Sequence, residues 1–300
     1  MVAEVLTALQ PRAGGRYVDG TIGGGGHAEA ILRASGPDGW LLGCDRDGAA
    51  VEAAVSRLRE LVGRYEVRRG NFADLSMWVE RRTCDGVLLD LGVSSAQLDQ
   101  AERGFSFQQD GPLDMRMDDR QTPTAADLVN TAAEQELARM FWELGEERAG
   151  RRVARALVRE RDRAPIRTTG QLAGLIERWL PRRGHKLHPA TRVFQALRMT
   201  VNDELGSLQR GLPAAWSLLK PGGRLAIITF HSIEARMVKR FGQELSRGYR
   251  VMGDRDLPEF RQACPPELRL VTRRPLEASV AEVAANPRAR SAQLRVFEKL

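Results

Sequence analysis

Asp19, Asp45 and Asp90 each close a strand-like run, and the first of them opens the loop Asp19-Gly-Thr-Ile-Gly-Gly-Gly-Gly-His27. Glycines admit positive φ and let backbone pass close to a ligand. An acid about 20 residues after such a loop, at the end of the next strand, is placed to hold a ribose diol. Asp45 occupies that place, so Tyr17 to Asp45 reads as strand, glycine loop, helix, strand, acid, which describes a pocket for an adenosine-bearing cofactor. Gly23-x-Gly25-x-x-Ala28 also satisfies the dinucleotide fingerprint, which leaves a dehydrogenase and a methyltransferase both open. Asp90, in Gly86-Val-Leu-Leu-Asp-Leu91, is expected beside the glycine loop at the switch of strand order, where a substrate must approach. Any one of these acids could be only a helix or turn cap, a reading that covers all three less easily.

Other reactive side chains are fewer. His231 and Ser232 follow the apolar run Leu225 to Phe230 and could line a base pocket, although a histidine there serves equally as a structural hydrogen-bonding residue. Cys44, Cys84 and Cys264 are odd in number and unpatterned, so neither a disulfide framework nor a zinc site is indicated. His185 and His188 sit among basic residues without a third ligand, which points to RNA contact or solvent rather than metal. No metal site is expected. Arg148, Arg151, Arg152, Arg155 and Arg159 recur at helical spacing, but Glu146, Glu147 and Glu160 accompany them, so a solvated and an RNA-facing surface both stay open.

These residues need a scaffold. Strand-like runs at Arg16 to Gly20, Trp40 to Asp45, Tyr65 to Arg69 and Gly86 to Leu91 alternate with helical patterns at His27 to Ala34, Gly48 to Val62 and Leu75 to Arg81, after an amphipathic opening helix, Met1 to Leu9. That order predicts a parallel sheet with right-handed crossovers and a ligand at the strands' carboxyl ends. From about Ala101 the strand signal stops, and helical runs follow at Ala125 to Trp142, Glu146 to Arg161, Thr169 to Leu180 and Pro189 to Leu205. The sheet resumes after a helix, Leu208 to Leu219, and a turn at Lys220-Pro-Gly-Gly223, with strands at Arg224 to Phe230, Leu268 to Thr272 and Gln293 to Glu298. The organisation expected is a core built from 1–100 and 206–300 around a helical insertion, 101–205.

Three hundred residues, 42% of them hydrophobic, suffice for a full α/β core with a smaller second unit. No apolar run approaches a membrane span and no leader pattern opens the chain, which predicts a cytoplasmic protein. The net charge of +7 suits an anionic partner, and only four of the 46 basic residues are lysines. Arginine's planar fork suits phosphate and base stacking.

Longer blocks carry a resemblance. Asp90-Leu-Gly-Val-Ser-Ser-Ala-Gln-Leu-Asp99, Arg103-Gly-Phe-Ser-Phe107 and Asp110-Gly-Pro-Leu-Asp-Met-Arg-Met-Asp118 closely resemble the bacterial 16S rRNA cytosine N4-methyltransferases of the MraW, or RsmH, family. So do the glycine loop, Arg192-Val-Phe-Gln-Ala-Leu-Arg198 with Asn202-x-Glu204-Leu205, Phe230-His-Ser-Ile-Glu234 and Asn286-Pro-Arg-Ala-Arg-Ser-Ala-Gln-Leu-Arg295. The resemblance implies a class I, Rossmann-like methyltransferase fold with an inserted helical substrate-recognition domain. It implies transfer of a methyl group from S-adenosylmethionine to N4 of a decoding-region (P-site) cytidine in 16S rRNA, within the small ribosomal subunit. It assigns Gly25, Gly26 and His27 to the methionine and ribose part of the cofactor, Asp45 to the ribose hydroxyls, and Phe72, Asp90 and Gln97 to the remaining cofactor positions. Asp90 is the first candidate to accept a hydrogen bond from the N4 amine, assisted by the Ser94 hydroxyl or the backbone around Leu91, and holding the methionine amino group is its competing role. C5 methylation would need a nucleophilic cysteine, which Cys44 and Cys84, inside strands, and Cys264, before two prolines in a late loop, do not offer. A non-catalytic ribosome-assembly factor is the rival of another class, and the intact glycine loop, Asp45 and Asp90 argue against it.

Overall fold

The computed structural model describes residues 1–180 and 188–300. The chain divides into two compact units, Met1–Gly92 with Gly206–Leu300, and Val93–Leu205. In chain order the elements are α1 (Val2–Leu9), β1 (Arg16–Asp19), α2 (Gly26–Ala34), β2 (Trp40–Asp45), α3 (Gly48–Leu58), β3 (Tyr65–Arg69), α4 (Leu75–Trp78), β4 (Cys84–Asp90), α5 (Ser95–Asp99), α6 (Ala125–Thr131), α7 (Glu134–Glu143), α8 (Gly150–Arg161), α9 (Thr169–Trp179), α10 (Thr191–Val201), α11 (Glu204–Leu218), β5 (Leu219–Thr229), α12 (Ser232–Leu245), β6 (Tyr249–Val251), β7 (Arg261–Ala263), β8 (Leu268–Leu270), β9 (Leu276–Glu277), α13 (Val280–Ala285) and β10 (Gln293–Lys299).

In the first unit the strands run in the order β3-β2-β1-β4-β5-β10-β8, with β9 also pairing β10. β1 to β5 are parallel, and β10 is antiparallel to its neighbours. This is the α/β architecture with a mostly parallel sheet that the βαβ pattern predicts, and the order reverses between β1 and β4. The strands are apolar on both faces, as a sheet covered by helices on two sides requires. Val87 and Leu89 of β4 with Leu225 and Ile227 of β5 pack on Leu208, Leu212 and Trp216 of α11 and Val238 of α12. Leu88, Ala226 and Ile228 face the other way, onto Val5 and Leu9 of α1, Ile31 and Leu32 of α2, and Leu58 of α3.

One predicted turn takes a different form. Lys220-Pro-Gly-Gly223 lies inside β5 as an outpouching: Cys84 pairs with Leu219 and Gly86 with Arg224, so the β5 side carries three more residues between the two pairings. Gly222 has φ +79°, and a Cβ on Gly223 would lie 2.8 Å from the Cys84 carbonyl oxygen, which is why two glycines stand there. The sequence pattern also missed α12 and the β6–β7 hairpin.

The second unit is helical, built on a core of Phe105, Leu113, Val129, Phe141, Val153, Leu157, Leu172, Ile176, Val193 and Leu197 among others. It begins at Val93, earlier than residue 101, because the chain leaves the sheet at Gly92, whose φ is +94°. The single run expected from Ala125 to Trp142 is two helices, parted at Ala132-Ala133. Arg161 donates to the carbonyls of Val129 and Ala132 at 2.9 and 2.7 Å, replacing the helical partners those oxygens lack. The run from Pro189 to Leu205 likewise ends at Val201, and α11 starts after Asp203, which has φ +45°. Among the described residues no helix is long and apolar enough to cross a membrane.

Candidate functional site

The glycine loop is held from three sides. Gly20 N–H donates to the Leu88 carbonyl at 2.9 Å and Ile22 N–H to that of Cys44 at 2.9 Å, which ties the loop to β4 and β2. Arg57 Nε reaches the Gly24 carbonyl at 2.7 Å, and its Nη1 pairs with Glu29 at 3.2 Å. Gly25, with φ +80° and its Cβ position 3.2 Å from Ala54 Cα, needs glycine on both counts. Cβ atoms added at Gly24 and Gly26 would meet nothing within 4 Å, so open space lies beside the loop where α2 begins.

Asp45 closes β2 and anchors the loop through both carboxyl oxygens. Oδ2 accepts the Gly23 N–H and Oδ1 the Asp47 N–H, each at 3.0 Å. Burial raises its pKa against those bonds. Each carboxylate oxygen keeps a second acceptor site, enough for a diol.

Asp19 and Asp90 end neighbouring strands across the switch point. Asp19 is buried; its Oδ1 accepts the Thr21 N–H at 3.2 Å, and its Oδ2 is sealed from solvent with no hydrogen-bond partner. Thr21 Oγ1 in turn accepts the Asp90 N–H at 2.6 Å. Asp90 Oδ1 is sealed and unpartnered too, while its Oδ2 lies 3.6 Å from His27 Nδ1. Burial pushes Asp19 up to about 7, with the Asp90 and Asp45 carboxylates adding to it. Burial pushes Asp90 to about 7 as well; the α-amino group of Met1 opposes this and Glu234 adds to it. His27 is driven down to about 4, chiefly by burial, so its imidazole is neutral near pH 7 and the 3.6 Å contact is not an ion pair. Its Nε2 is a further sealed, unpartnered atom. Three buried polar atoms without partners, at the carboxyl ends of β1 and β4 and in the first turn of α2, form a site short of a polar ligand.

Phe72 follows β3 with Asn71. Its ring is partly buried in the first unit's core, where a Cβ on Gly211 of α11 would lie 2.3 Å from ring carbons. Ser207, one turn earlier on α11, accepts from Arg46 Nη2 and from Asn71 Nδ2, both at 2.9 Å. One hydroxyl therefore joins the loop after Asp45 to the loop that carries Phe72. Nothing local in the sequence marks Ser207, which lies more than 130 residues from either partner.

His231 caps α12: its Nδ1 accepts the Glu234 N–H at 3.5 Å, and its Nε2 lies 3.1 Å from Glu234 Oε1 but is not aligned with it as a hydrogen bond. Glu234 Oε2 accepts the Phe230 N–H at 3.2 Å. Both ring nitrogens thus face Glu234. Ser94 and Gln97 belong to the helical unit and form a reciprocal cap on α5, the Gln97 N–H to Ser94 Oγ at 3.2 Å and the Ser94 N–H to Gln97 Oε1 at 2.9 Å. The structure therefore brings together Gly25, Gly26, His27, Asp45 and Asp90, with Phe72 on the neighbouring loop, and shows capping roles for His231, Ser94 and Gln97. Asp19 and Glu234 join the cluster without having been singled out for a role. His185 falls outside the described residues, and His188 Nδ1 accepts the Ala190 N–H at 3.1 Å.

The residues present suit a cofactor that carries positive charge beside an adenosine: buried carboxyls with unused oxygens, an acid for a diol and an aromatic ring on the adjoining loop. Cys44 and Cys84 are buried thiols whose pKa burial raises, which disfavours thiolate chemistry.

The profile of the MraW methylase family matches residues 1–300. The ribosomal RNA small subunit methyltransferase H of Geobacter sulfurreducens is 52% identical over 305 residues, covering 100% of this chain and 97% of its own. That of Citrifermentans bemidjiense is 52% identical over 302 residues, covering 99% and 96%. Among solved structures, an rRNA methylase from Streptococcus thermophilus aligns over 99% of this chain and 94% of its own with a TM-score of 0.45 at 11% identity.

Proposed function

The chain belongs to the MraW methylase family, and from that premise we propose that it methylates N4 of a decoding-region cytidine in 16S rRNA, acting on the small ribosomal subunit. At the coarser level it is an S-adenosylmethionine-dependent small-subunit rRNA methyltransferase. The observation that carries the reading is the pair of sealed, unpartnered carboxyl oxygens of Asp19 and Asp90 beside the glycine loop.

When bound, S-adenosylmethionine supplies a methyl group activated by its sulfonium, so the displacement needs alignment of the acceptor rather than a covalent enzyme intermediate. Asp45 would hold the ribose hydroxyls, Phe72 would pack on the adenine, and Gly25, Gly26 and His27 would line the methionine part. Asp90, with a pKa near 7, fits two tasks: to accept a hydrogen bond from an amine, and to take up the proton that N4 loses after transfer. His27, neutral at that pH, adds no competing cation. Ser94, His231 and Gln97 would act by setting helix starts near the chain's exits from β4 and β5, a positioning role. A C5 product would require a thiolate attack that the buried Cys44 and Cys84 do not support, and the partly exposed Cys264 follows β7, outside the strand ends that carry the site; loss of all activity in Cys264→Ala would overturn this exclusion.

The test is transfer of labelled methyl to small subunits from cells lacking this activity, followed by nucleoside analysis. N4-methylcytidine, alone or with a 2′-O-methyl group, is the expected product. C5-methylcytidine, or no incorporation by folded protein that binds the cofactor, overturns the proposal.

A further inference from the structure

Charge is unevenly shared within the helical unit. Residues 148–163, α8 and its flanks, hold seven arginines and two acids, whereas the rest of Val93–Leu205 holds eleven basic and fifteen acidic residues. Helix geometry sorts these arginines. Val153, Ala154 and Leu157 face the core of the unit, and at 3.6 residues per turn Arg151, Arg155 and Arg159 share the opposite, exposed face, with Arg148, also exposed, just before the helix starts.

The remaining three are occupied. Arg152 donates to the Trp179 carbonyl at 2.7 Å, Arg161 closes α6 as described above, and Arg163 pairs with Glu160 at 3.6 Å. On the exposed face only Arg155 meets an acid, Glu134 at 3.5 Å, with both side chains largely in solvent. Arg148, Arg151 and Arg159 have no carboxylate partner among the described residues. Like charges three and four residues apart on a helix repel, a cost that an external polyanion would offset. Successive positions four residues apart rise about 6 Å along the axis.

An exposed aromatic residue lies where α7 adjoins the amino-terminal end of α8. Trp142, near the end of α7, is 60% exposed. A Cβ on Gly150, the first residue of α8, would lie 3.4 Å from the Trp142 backbone nitrogen. Guanidinium forks on α8 and an exposed indole on the adjoining α7 suit phosphates and an unstacked base together, which is how single-stranded RNA is held. An acidic protein surface would use the charges and leave the indole in water.

We infer that the exposed face of α8, with Trp142, docks the sugar-phosphate backbone of unpaired or looped rRNA. The inference rests on the rRNA reading above and adds the surface that engages the polymer.

The full chain is titrated with protein-free 16S rRNA and with intact small subunits over a range of salt concentrations, as wild type and with Arg151→Ala, Arg155→Ala and Arg159→Ala combined. The triple variant is expected to bind rRNA at least about tenfold more weakly, and its plot of log affinity against log salt to be shallower by about 2, since each lost contact to single-stranded phosphate removes roughly 0.7. The matching triple lysine variant keeps the slope. Trp142→Ala loses about 5- to 100-fold in affinity with the slope intact. Unchanged helical circular dichroism and thermal midpoint certify that each variant is folded. Wild-type affinity and slope in the alanine triple overturn the inference. Weaker binding to subunits but not to protein-free rRNA also overturns it, in favour of a ribosomal protein as partner. Failure of the wild type to methylate subunits bears on the function instead, because the titrations read the surface without turnover.

Discussion

His27 Nδ1 and Asp90 Oδ2 face one another across 3.6 Å, one from the first turn of α2 and the other from the last residue of β4, while Nε2 of the first and Oδ1 of the second are sealed from solvent without partners. Burial drives the histidine down and the aspartate up, so neither group is firmly charged near neutral pH. With Asp19 behind them, likewise raised to about 7, the ligand-free site costs stability that a cationic ligand would offset.

The sign of that cost is testable. Asp19 ordinarily titrates near 3.8, so between about pH 4 and 7 the folded protein binds more protons than the unfolded chain. Its contribution is most favourable at the acid end and falls as pH rises through about 7. His27 acts in the opposite sense between about 4 and 6.5, because there the folded state binds fewer protons. Thermal unfolding of the ligand-free wild type and Asp19→Asn across pH 5 to 8 isolates the aspartate: the variant should gain stability relative to wild type as pH rises. A pH-independent difference between the two would show that Asp19 titrates normally.

Asp90→Asn keeps the side chain's shape and removes its ability to take up a proton. We expect kcat to fall by roughly 10²- to 10⁴-fold, and wild-type activity to decline below about pH 7 as Asp90 is protonated. A loss confined to kcat identifies the acceptor role; a loss confined to cofactor affinity identifies the role of holding the methionine amino group. Near-normal turnover together with an unchanged cofactor affinity would refute both.

Ser207 is a positioning residue on α11. Its hydroxyl receives Arg46 and Asn71 at 2.9 Å each, so Ser207→Ala releases the two loops that follow Asp45 and precede Phe72. Deleting an acceptor of buried donors costs about 1–3 kcal/mol. The expected outcome is a rise of about tenfold in the cofactor's Kd with kcat little changed at saturation, and recovery with Ser207→Thr. A drop in Tm with Kd unchanged would reduce Ser207 to a stability element.

What was legible in the sequence had local causes. Trp40–Asp45 and Tyr65–Arg69 stand where their strand pattern put them, because apolar residues there are bounded by turn residues and acids. The break at Ala132-Ala133 was not legible, since it carries no glycine or proline and depends on Arg161, about 30 residues on, reaching back to the open carbonyls. In the site, glycines and strand-end acids announce themselves through backbone geometry. Which carboxyl oxygens stay unpartnered, and that Ser94 and Gln97 turn toward each other's backbone, depends on packing and capping that spacing alone leaves open.

The junction between α10 and α11 offers a test of the helical unit alone. Asn202 is 2% exposed; its Oδ1 accepts the Met117 N–H at 2.7 Å, and its Nδ2 donates to the carbonyls of Met115 and Arg198, both at 2.8 Å. One amide thus stitches the irregular segment before α6 to the end of α10, and the neighbouring Arg198–Glu204 pair, bonded at 2.8 and 3.0 Å, braces the turn through Asp203. Asn202→Ala strands the buried Met117 N–H and the Met115 carbonyl, while the Arg198 carbonyl keeps the backbone N–H of residue 202, so urea unfolding should show a loss of about 2–4 kcal/mol, above the 1–3 kcal/mol of a single unsatisfied group. Asn202→Asp keeps the acceptor for Met117 but loses both donors and adds a buried charge, so it should destabilise at least as much. A loss below about 1 kcal/mol in both variants would mean that the apolar core of the unit holds this junction without the amide.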